Sequence, residues 1–256
     1  MRGNLMRDWV RGGVFMCCCV AAGAAFSPVV SGQDLGWVRV DVVQVVPEKL
    51  NEYIELQLEE VNPSLQRAGI PWRSAWRTAE FGQTYQRVFV APIENLTDYD
   101  SGGPLARGLD PDRLARLLDR LRRCTVSRES YAVRYRADLS IEAEDVGELF
   151  LARVTALEIA PGRSAEWEAF LEEHLPQFRG ADVVFGIYQR VFGPGPPIWQ
   201  IVENHSSFAE LNQPSIIART FGDQASEVAA SFAGVLTSIE RTVLRYDAEL
   251  SYSALP

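Results

Sequence analysis

The sequence is poor in the residues that build disulfides, metal centres and redox sites. Its 256 residues include only 4 Cys and 2 His, and Cys17, Cys18 and Cys19 stand together near the N-terminus. Cys124 is the only other cysteine, so no internal disulfide is expected once the N-terminal segment has been removed. We therefore expect stability to come from a packed core, and we predict neither a cofactor nor a metal ion.

Positive charge is also scarce. The chain has 25 Lys and Arg against 34 Asp and Glu, a formal net charge of -9. Because nucleic-acid binding needs clustered positive charge, we predict no nucleic-acid partner. The motifs of phosphate-binding loops, dinucleotide-binding turns, zinc proteases, serine hydrolases and paired Cys-x-x-Cys sites are all missing. These absences leave the catalytic residues, if there are any, unassigned.

Residues 1–32 have the pattern of a signal peptide. Three arginines precede an apolar run at residues 14–26, which is shorter than the roughly 20 residues that span a bilayer. Small residues before Gln33 predict cleavage at that point, while a cut after Ala24 or Ala25 and an uncleaved membrane anchor are alternatives. We expect an exported protein, periplasmic or secreted, without membrane contact after cleavage.

The remaining chain contains two similar segments. Each opens with a strand-like run that ends in a proline, Pro47 or Pro161, and continues into an amphipathic helix. The last strands match best, since VRYRADLS begins at Val133 and LRYDAELS begins at Leu244. The repeat predicts two units with the same order of strands and helices.

Each segment predicts the order β-α-β-β-α-β, over residues 37–142 and 149–252. Strands are expected near 37–46, 72–81, 84–92, 131–141, 150–160, 183–192, 198–204 and 242–251. Helices are expected near 48–68, 111–124, 163–178 and 215–240. Helices would cover one face of each sheet, and packing the two open faces together would bury both. The predicted class is α+β, with two tandem ferredoxin-like halves.

The strand–proline–helix openings, VVPEKLNEYIEL and EIAPGRSAEWEAF, together with the duplication, resemble the dimeric α/β-barrel superfamily. Its members include antibiotic-biosynthesis-type monooxygenases, NIPSNAP-like proteins and haem-binding relatives. The resemblance extends over nearly all of residues 37–252. It implies halves packed sheet to sheet as a pseudo-dimeric α/β barrel, with a small-molecule cavity. It implies no particular reaction, because fold does not fix function.

Four strand arginines are candidate ligand-binding residues. Arg39 and Arg153 occupy matched positions in the first strands of the two segments, and Arg134 and Arg245 occupy matched positions in the last strands. They are interpreted either as a structural network of salt bridges or as a pocket for an anionic small molecule, because a guanidinium presents a fork of donors to carboxylates.

The strand aromatics Trp76, Tyr188 and Trp199 are further candidates, either as core fillers or as the lining of an apolar cavity. His205, which follows a strand, completes the candidate set. It is either a surface residue or a general base or ligand. The other histidine, His174, lies late on a predicted helix.

These residues support one leading functional hypothesis and two alternatives. The leading hypothesis is an exported protein that binds a small organic molecule and that can self-associate. The first alternative is a cofactor-independent monooxygenase acting on an aromatic or polyketide-like substrate, oriented by Trp199, Tyr188, Asn204 and His205. The second alternative is a haem-binding protein that uses His205 or His174.

Overall fold

The computed structural model describes residues 36–94, 96–143 and 150–253. Its strands are β1 Trp37–Val45, β2 Trp72–Thr78, β3 Gln86–Ile93, β4 Thr125–Tyr135, β5 Leu151–Ile159, β6 Gly186–Phe192, β7 Ile198–His205, β8 Leu236–Tyr246 and β9 Tyr252–Ser253. Its helices are α1 Leu50–Leu56, α2 Asn62–Arg67, α3 Pro104–Gly108, α4 Pro111–Arg123, α5 Ser164–Gly180, α6 Ile216–Phe221 and α7 Ala225–Ser231. A π-helical turn, Gln57–Val61, joins α1 to α2.

Helix α4 shows how local sequence fixes an element boundary. The side chain of Asp110 accepts a hydrogen bond of 2.9 Å from the backbone N–H of Arg113, and Pro111 occupies the first turn. Both residue types are preferred at these positions, because an acidic cap satisfies a free N–H and proline has no N–H to satisfy. The predicted start of this helix is therefore confirmed.

The strands form one closed antiparallel barrel. β1 lies between β3 and β4, and β5 lies between β7 and β8. Each half is completed by one more pairing, β2 with β3 and β6 with β7. The pairings of β4 with β6 and of β2 with β8 then join the halves. The fold is thus α+β with an eight-stranded closed barrel, to which β9 adds a short pairing on β2.

The two sheets are joined edge to edge by strand pairing, and they do not simply pack face to face. The two sheets share backbone hydrogen bonds at both junctions, so that the sheet faces predicted to pack together become the inside of one barrel. Closure also leaves no free sheet edge along the paired strands.

Two apolar cores lie outside the barrel, between strands and helices. The first-half core packs Tyr53 and Leu56 of α1 against strand residues such as Phe89. The second-half core packs Trp167 and Phe170 of α5 in the same way. A third apolar cluster lines the inside of the barrel. The strands therefore bury both faces, which explains their high content of Val, Ile and aromatic residues.

Both final strands begin earlier than predicted. β4 starts at Thr125 rather than near 131, and β8 starts at Leu236 rather than near 242. Their first halves are polar and exposed, so they lack the apolar alternation by which strands are recognised. Pairing with β1 and β5 supplies the backbone hydrogen bonds that hold them as strands.

The predicted helix over 215–240 is wrong in its second half. Gly222, with φ of 52°, follows α6, and α7 ends at Ser231. A left-handed backbone at this point favours glycine and interrupts the helix. The residues from Leu236 onward belong to β8 instead.

The predicted strands over 131–141 and 242–251 also end early, because the chain turns and crosses to the other half. After β4, residues Ala137–Leu139 form a 3₁₀ turn, and Leu139 enters the second-half core. After β8, Leu250 enters the first-half core. Arg136 and Asp138 lie within the predicted strand 131–141, but they follow the end of β4 and do not continue the face of Arg134.

Matched serines anchor these two crossing segments. Ser140 Oγ accepts a hydrogen bond of 2.9 Å from the backbone N–H of Ile187, and Ser251 Oγ accepts one of 2.8 Å from Ala75. The last residues of each half therefore pack against the other half, and this reciprocal packing stabilises the barrel.

The predicted signal peptide, residues 1–32, lies outside the described residues. Among the residues that are described, no helix combines the length and apolar character needed to cross a membrane. The proposed limits of the two halves, 37–142 and 149–252, stay predictions.

Candidate functional site

The inside of the barrel encloses a cavity of about 520 Å³. Every barrel strand contributes alternate side chains to it, as the period of two in a strand requires. Val38, Val40 and Val42 line it on β1, and Ala152 and Val154 line it on β5. A largely apolar cavity of this size, with a few polar groups, has the character of a small-molecule site.

The two junctions between the halves differ in how many polar side chains they give to the cavity. At the β2–β8 junction, Trp76 pairs with Tyr246, with ring centroids 5.1 Å apart. At the β4–β6 junction, Tyr188 pairs with Tyr135, with ring centroids 5.2 Å apart. The ring pairs correspond, but polar residues are concentrated around the β4–β6 junction.

Tyr131, Arg190 and Gln200 form the first polar group of this junction. The amide of Gln200 donates to the hydroxyl of Tyr131 at 3.2 Å, and the guanidinium of Arg190 lies 4.2 Å from the centre of the Tyr131 ring. Burial raises the pKa of Tyr131, and the hydrogen bond from Gln200 opposes that rise. The hydroxyl therefore stays protonated at neutral pH, with its proton available for donation.

Tyr135, Tyr188 and Glu142 form the second polar group. The hydroxyl of Tyr135 donates to Glu142 Oε1 at 2.6 Å. Burial raises the pKa of Tyr135 and the bond to Glu142 raises it further. Burial, followed by the negative charge of Glu142, raises the pKa of Tyr188 to about 12. Both phenols are therefore neutral hydrogen-bond donors at physiological pH.

Gly186 makes room for these rings. A Cβ atom at this position would lie 3.1 Å from Cε2 of Tyr188 and 3.5 Å from Cε2 of Tyr135. The missing side chain thus lets the two tyrosines approach each other over the end of β6.

Of the eight predicted ligand-binding residues, the structure brings Trp76 and Tyr188 together in the cavity lining. Within the described chain, the other six are not part of that lining: Arg39, Arg134, Arg153, Trp199, His205 and Arg245. Those on strands stand between the residues that line the cavity. Their side chains point to the outer face, because neighbouring residues of a strand point to opposite faces of the sheet.

Arg39 belongs to an ion-pair cluster on the outside of the barrel. Its Nε lies 3.1 Å from Asp41, which also contacts Arg128 at 2.9 Å and accepts a hydrogen bond from Ser130. Burial acts to raise the pKa of Asp41, but Arg128 and Arg39 outweigh it and hold that pKa below its usual range. This contact fits the salt-bridge interpretation of the strand arginines.

Arg153 is engaged in the same manner in the second half. It makes two hydrogen bonds of 2.7 Å to the carboxylate of Glu203, whose side chain is 5% exposed. Arg219 reaches the same carboxylate at 3.3 Å. The charge of Glu203 is thus compensated within the protein.

The two remaining arginines also have partners outside the cavity. Arg134 donates to Gln189 at 2.9 Å. Arg245 packs over the ring of Phe150, 5.0 Å from its centre. Both arginines contact the outer surface of the barrel wall.

Trp199 and His205 lie on the helix-covered side of β7. Trp199 is 1% exposed and belongs to the second-half core. Nδ1 of His205 lies 3.6 Å from Glu210, and burial lowers the pKa of the histidine. The other histidine, His174, contacts the carbonyl of Phe170 at 2.9 Å. Across residues 36–94, 96–143 and 150–253, no cluster of three or more His, Cys, Asp or Glu is arranged to hold a metal.

Sequence reasoning missed Tyr131, Tyr135, Arg190 and Gln200. The signal for Arg190 was present, because it stands two residues after Tyr188 on the same strand face. Trp199 was grouped with Tyr188 as a lining residue, but the register places Gln200 opposite Tyr188 across the β6–β7 pair. Gln200, and not Trp199, therefore faces the cavity.

Comparison with known proteins gives relatives in fold. No family model and no curated protein matches the sequence. An anthrone oxidase-like protein is similar in structure, with a TM-score of 0.58 and 10% identity over 88% of this chain and 95% of that one. A "putative monooxygenase" from Fusobacterium nucleatum subsp. nucleatum ATCC 25586 has a TM-score of 0.53 and 9% identity, over 82% of this chain and 91% of that one.

A protein of the same description from Lactobacillus acidophilus NCFM has a TM-score of 0.52 and 9% identity, over 85% of this chain and 96% of that one. Identities this low show a shared fold and not a shared reaction. The barrel topology and these neighbours agree with the resemblance in the sequence. The fold of this chain is that of the dimeric α/β barrels.

Proposed function

We propose that this chain is an exported protein that binds a small, largely apolar organic molecule inside its barrel. The observation that carries the proposal is the cavity of about 520 Å³, whose walls are mainly Val, Ala and aromatic side chains. Apolar surface buried against a ligand drives binding, and a few polar groups orient the ligand.

The proposal includes a duplicated architecture of two ferredoxin-like halves. It is supported by the strand order β4-β1-β3-β2 in the first half and β8-β5-β7-β6 in the second, which are equivalent. Corresponding register positions differ in chemistry, since Val40 pairs with Tyr131 where Val154 pairs with Thr242. A ligand in a cavity shared by two diverged halves would bind in one orientation.

A neutral fluorescent probe, N-phenyl-1-naphthylamine, tests whether the cavity is a binding site. We expect its emission to rise on binding and to saturate at one probe per chain. Ala156→Phe fills the cavity from β5 and should abolish that rise. Val126→Phe is the control, because Val126 is 64% exposed and does not line the cavity. Equal binding to both variants would show that the probe binds elsewhere.

Export and self-association are separate parts of the proposal. The pattern of residues 1–32 supports export, and fractionation of the host followed by N-terminal sequencing tests it. A mature N-terminus near Gln33 or after Ala24 or Ala25 is expected. Light scattering of the purified protein measures whether two or more chains associate.

A second candidate function is cofactor-free oxidation of an aromatic substrate. It is favoured by structural neighbours described as an anthrone oxidase-like protein and a "putative monooxygenase", and by an apolar cavity with tyrosine donors. Of the residues predicted to orient such a substrate, Tyr188 and Asn204 line the cavity, whereas Trp199 and His205 do not. The haem alternative lacks comparable support, since neither His174 nor His205 lines the cavity.

Oxygen uptake with anthrone tests this second function. Anthrone and one O2 give anthraquinone and one H2O, so uptake should equal the quinone formed. The Ala156→Phe variant should lose the activity. A rate no higher than that of the uncatalysed reaction would refute the oxidase and leave the binding function in place.

A further inference from the structure

The polar groups of the cavity are distributed unevenly, and several donors are grouped at the β4–β6 junction. Arg190 is the one cation among the described residues of its lining. The Arg190 side chain is only 12% exposed. A guanidinium largely removed from water attracts a negative charge more strongly than one in solvent.

Contacts hold the Arg190 side chain in place, but they do not use all of its N–H donors. Its Nη1 donates to the carbonyl of Pro194 at 2.7 Å, and its Cζ lies 4.2 Å from the centre of the Tyr131 ring. Its Nη2 lies 3.8 Å from Glu129 Oε1, which is beyond hydrogen-bond range. The fixed guanidinium of Arg190 therefore retains donor capacity at the β4–β6 junction.

The neighbouring tyrosines add donors in the same region. Tyr131 accepts from Gln200, so that its own proton remains to be given. Tyr188 stands two residues before Arg190 on the same face of β6. Donors grouped beside a cation are complementary to an anionic oxygen, because charge-assisted hydrogen bonds are the stronger kind.

Three carboxylates belong to the same lining. Their positions decide whether the cavity prefers an anionic or a neutral ligand. Glu142 accepts the hydrogen bond of Tyr135. Glu240 is exposed on β8, and the side chain of Glu129 is 48% exposed. Water screens these two glutamates more effectively than it screens the buried Arg190.

We infer that the barrel cavity selects an organic carboxylate, an apolar body with one anionic end, and that Arg190 binds that end at the β4–β6 junction. The apolar body lies across the barrel at the β2–β8 junction, where Trp76 and Leu244 line the cavity. The inference rests on the proposed binding function and adds the ligand's charge and orientation to it.

Two probes of the same shape test the inference, 2-naphthoate and 2-naphthalenemethanol, with calorimetry on the purified chain. We expect the carboxylate to bind at least about tenfold more tightly than the neutral alcohol, as expected from a charged hydrogen bond. Arg190→Gln should weaken 2-naphthoate about 10- to 100-fold and leave 2-naphthalenemethanol nearly unchanged.

A matched control and a reversed effect separate binding from structure. Arg134→Gln changes an arginine of the same junction that is exposed on the outer face, so that both affinities should stay as they are. Glu129→Gln removes the carboxylate nearest Arg190 and should tighten 2-naphthoate up to about fivefold, the range for an exposed pair. A purely structural Arg190 would not produce that gain.

The outcomes distinguish the two levels of the proposal. Equal affinities of the two probes, in the parent protein and in the Glu129→Gln variant, overturn the carboxylate inference while the binding function stands. Binding of neither probe, with no signal from N-phenyl-1-naphthylamine, overturns both. If Arg190→Gln does not fold, the probe pair in the parent protein and the Glu129→Gln gain still decide the question.

Discussion

The exchange of Leu139 and Leu250 between the halves leads to a quantitative prediction about stability. Each side chain is 1% exposed, and each is packed in the core of the half to which it does not belong in sequence. Truncating a buried leucine to alanine costs about 2–5 kcal/mol, because apolar contact is lost and a cavity is left. We expect Leu250→Ala to lower the free energy of unfolding by about 3 kcal/mol, and Tm by about 6–12 °C for a chain of this size.

Urea and thermal denaturation measure the size of the effect, and hydrogen exchange measures its place. Leu250→Ala should speed amide exchange in α4 of the first half, while Leu139→Ala should speed it in α5 of the second. Leu118→Ala is the control, since Leu118 is 39% exposed and its truncation should cost less than about 1 kcal/mol. A loss below about 0.5 kcal/mol for Leu250→Ala, or exchange confined to the second half, would refute the reciprocal packing.

The remaining predictions concern charge and close packing. Asp41 has a lowered pKa in the folded protein, so it stabilises the fold above its unfolded pKa of about 3.9 and that stabilisation disappears as pH falls. Asp41→Asn should therefore be destabilising at pH 7, with a difference from the parent that shrinks below about pH 4 in urea titrations. Glu203→Gln leaves a largely buried arginine without its anion and should cost about 3 kcal/mol in the same assay; a cost under about 1 kcal/mol would contradict the pairing. Gly186→Ala should displace Tyr188 and weaken cavity probes at a stability cost of about 1–3 kcal/mol, and unchanged probe affinity would show that the tyrosine does not contact the ligand.

Much of the fold could be predicted from local pattern. The starts of β1, β5 and α4 follow from alternation, apolar spacing and a capping residue, all of which act between near neighbours. The first halves of β4 and β8 could not be found in this way. Their residues are polar on both faces, and they are strands because β1 and β5 offer them backbone partners.

The candidate site was only partly accessible from sequence. Trp76 and Tyr188 were identified because bulky aromatics recur at matched strand positions. The four strand arginines were attractive for the same reason, but they lie on the alternate face. Which face of a closed barrel is inside depends on how strands of the two halves pair, and that pairing is a long-range property.

The sequence by itself determined most of the order of strands and helices, because that order depends on periodicity that neighbouring residues impose. Only the tertiary structure decided that the two halves close into one barrel, that Arg190 rather than Arg39 faces its interior, and that each half holds the other's last leucine. These features arise from contacts between residues far apart in the chain, for which no local pattern exists.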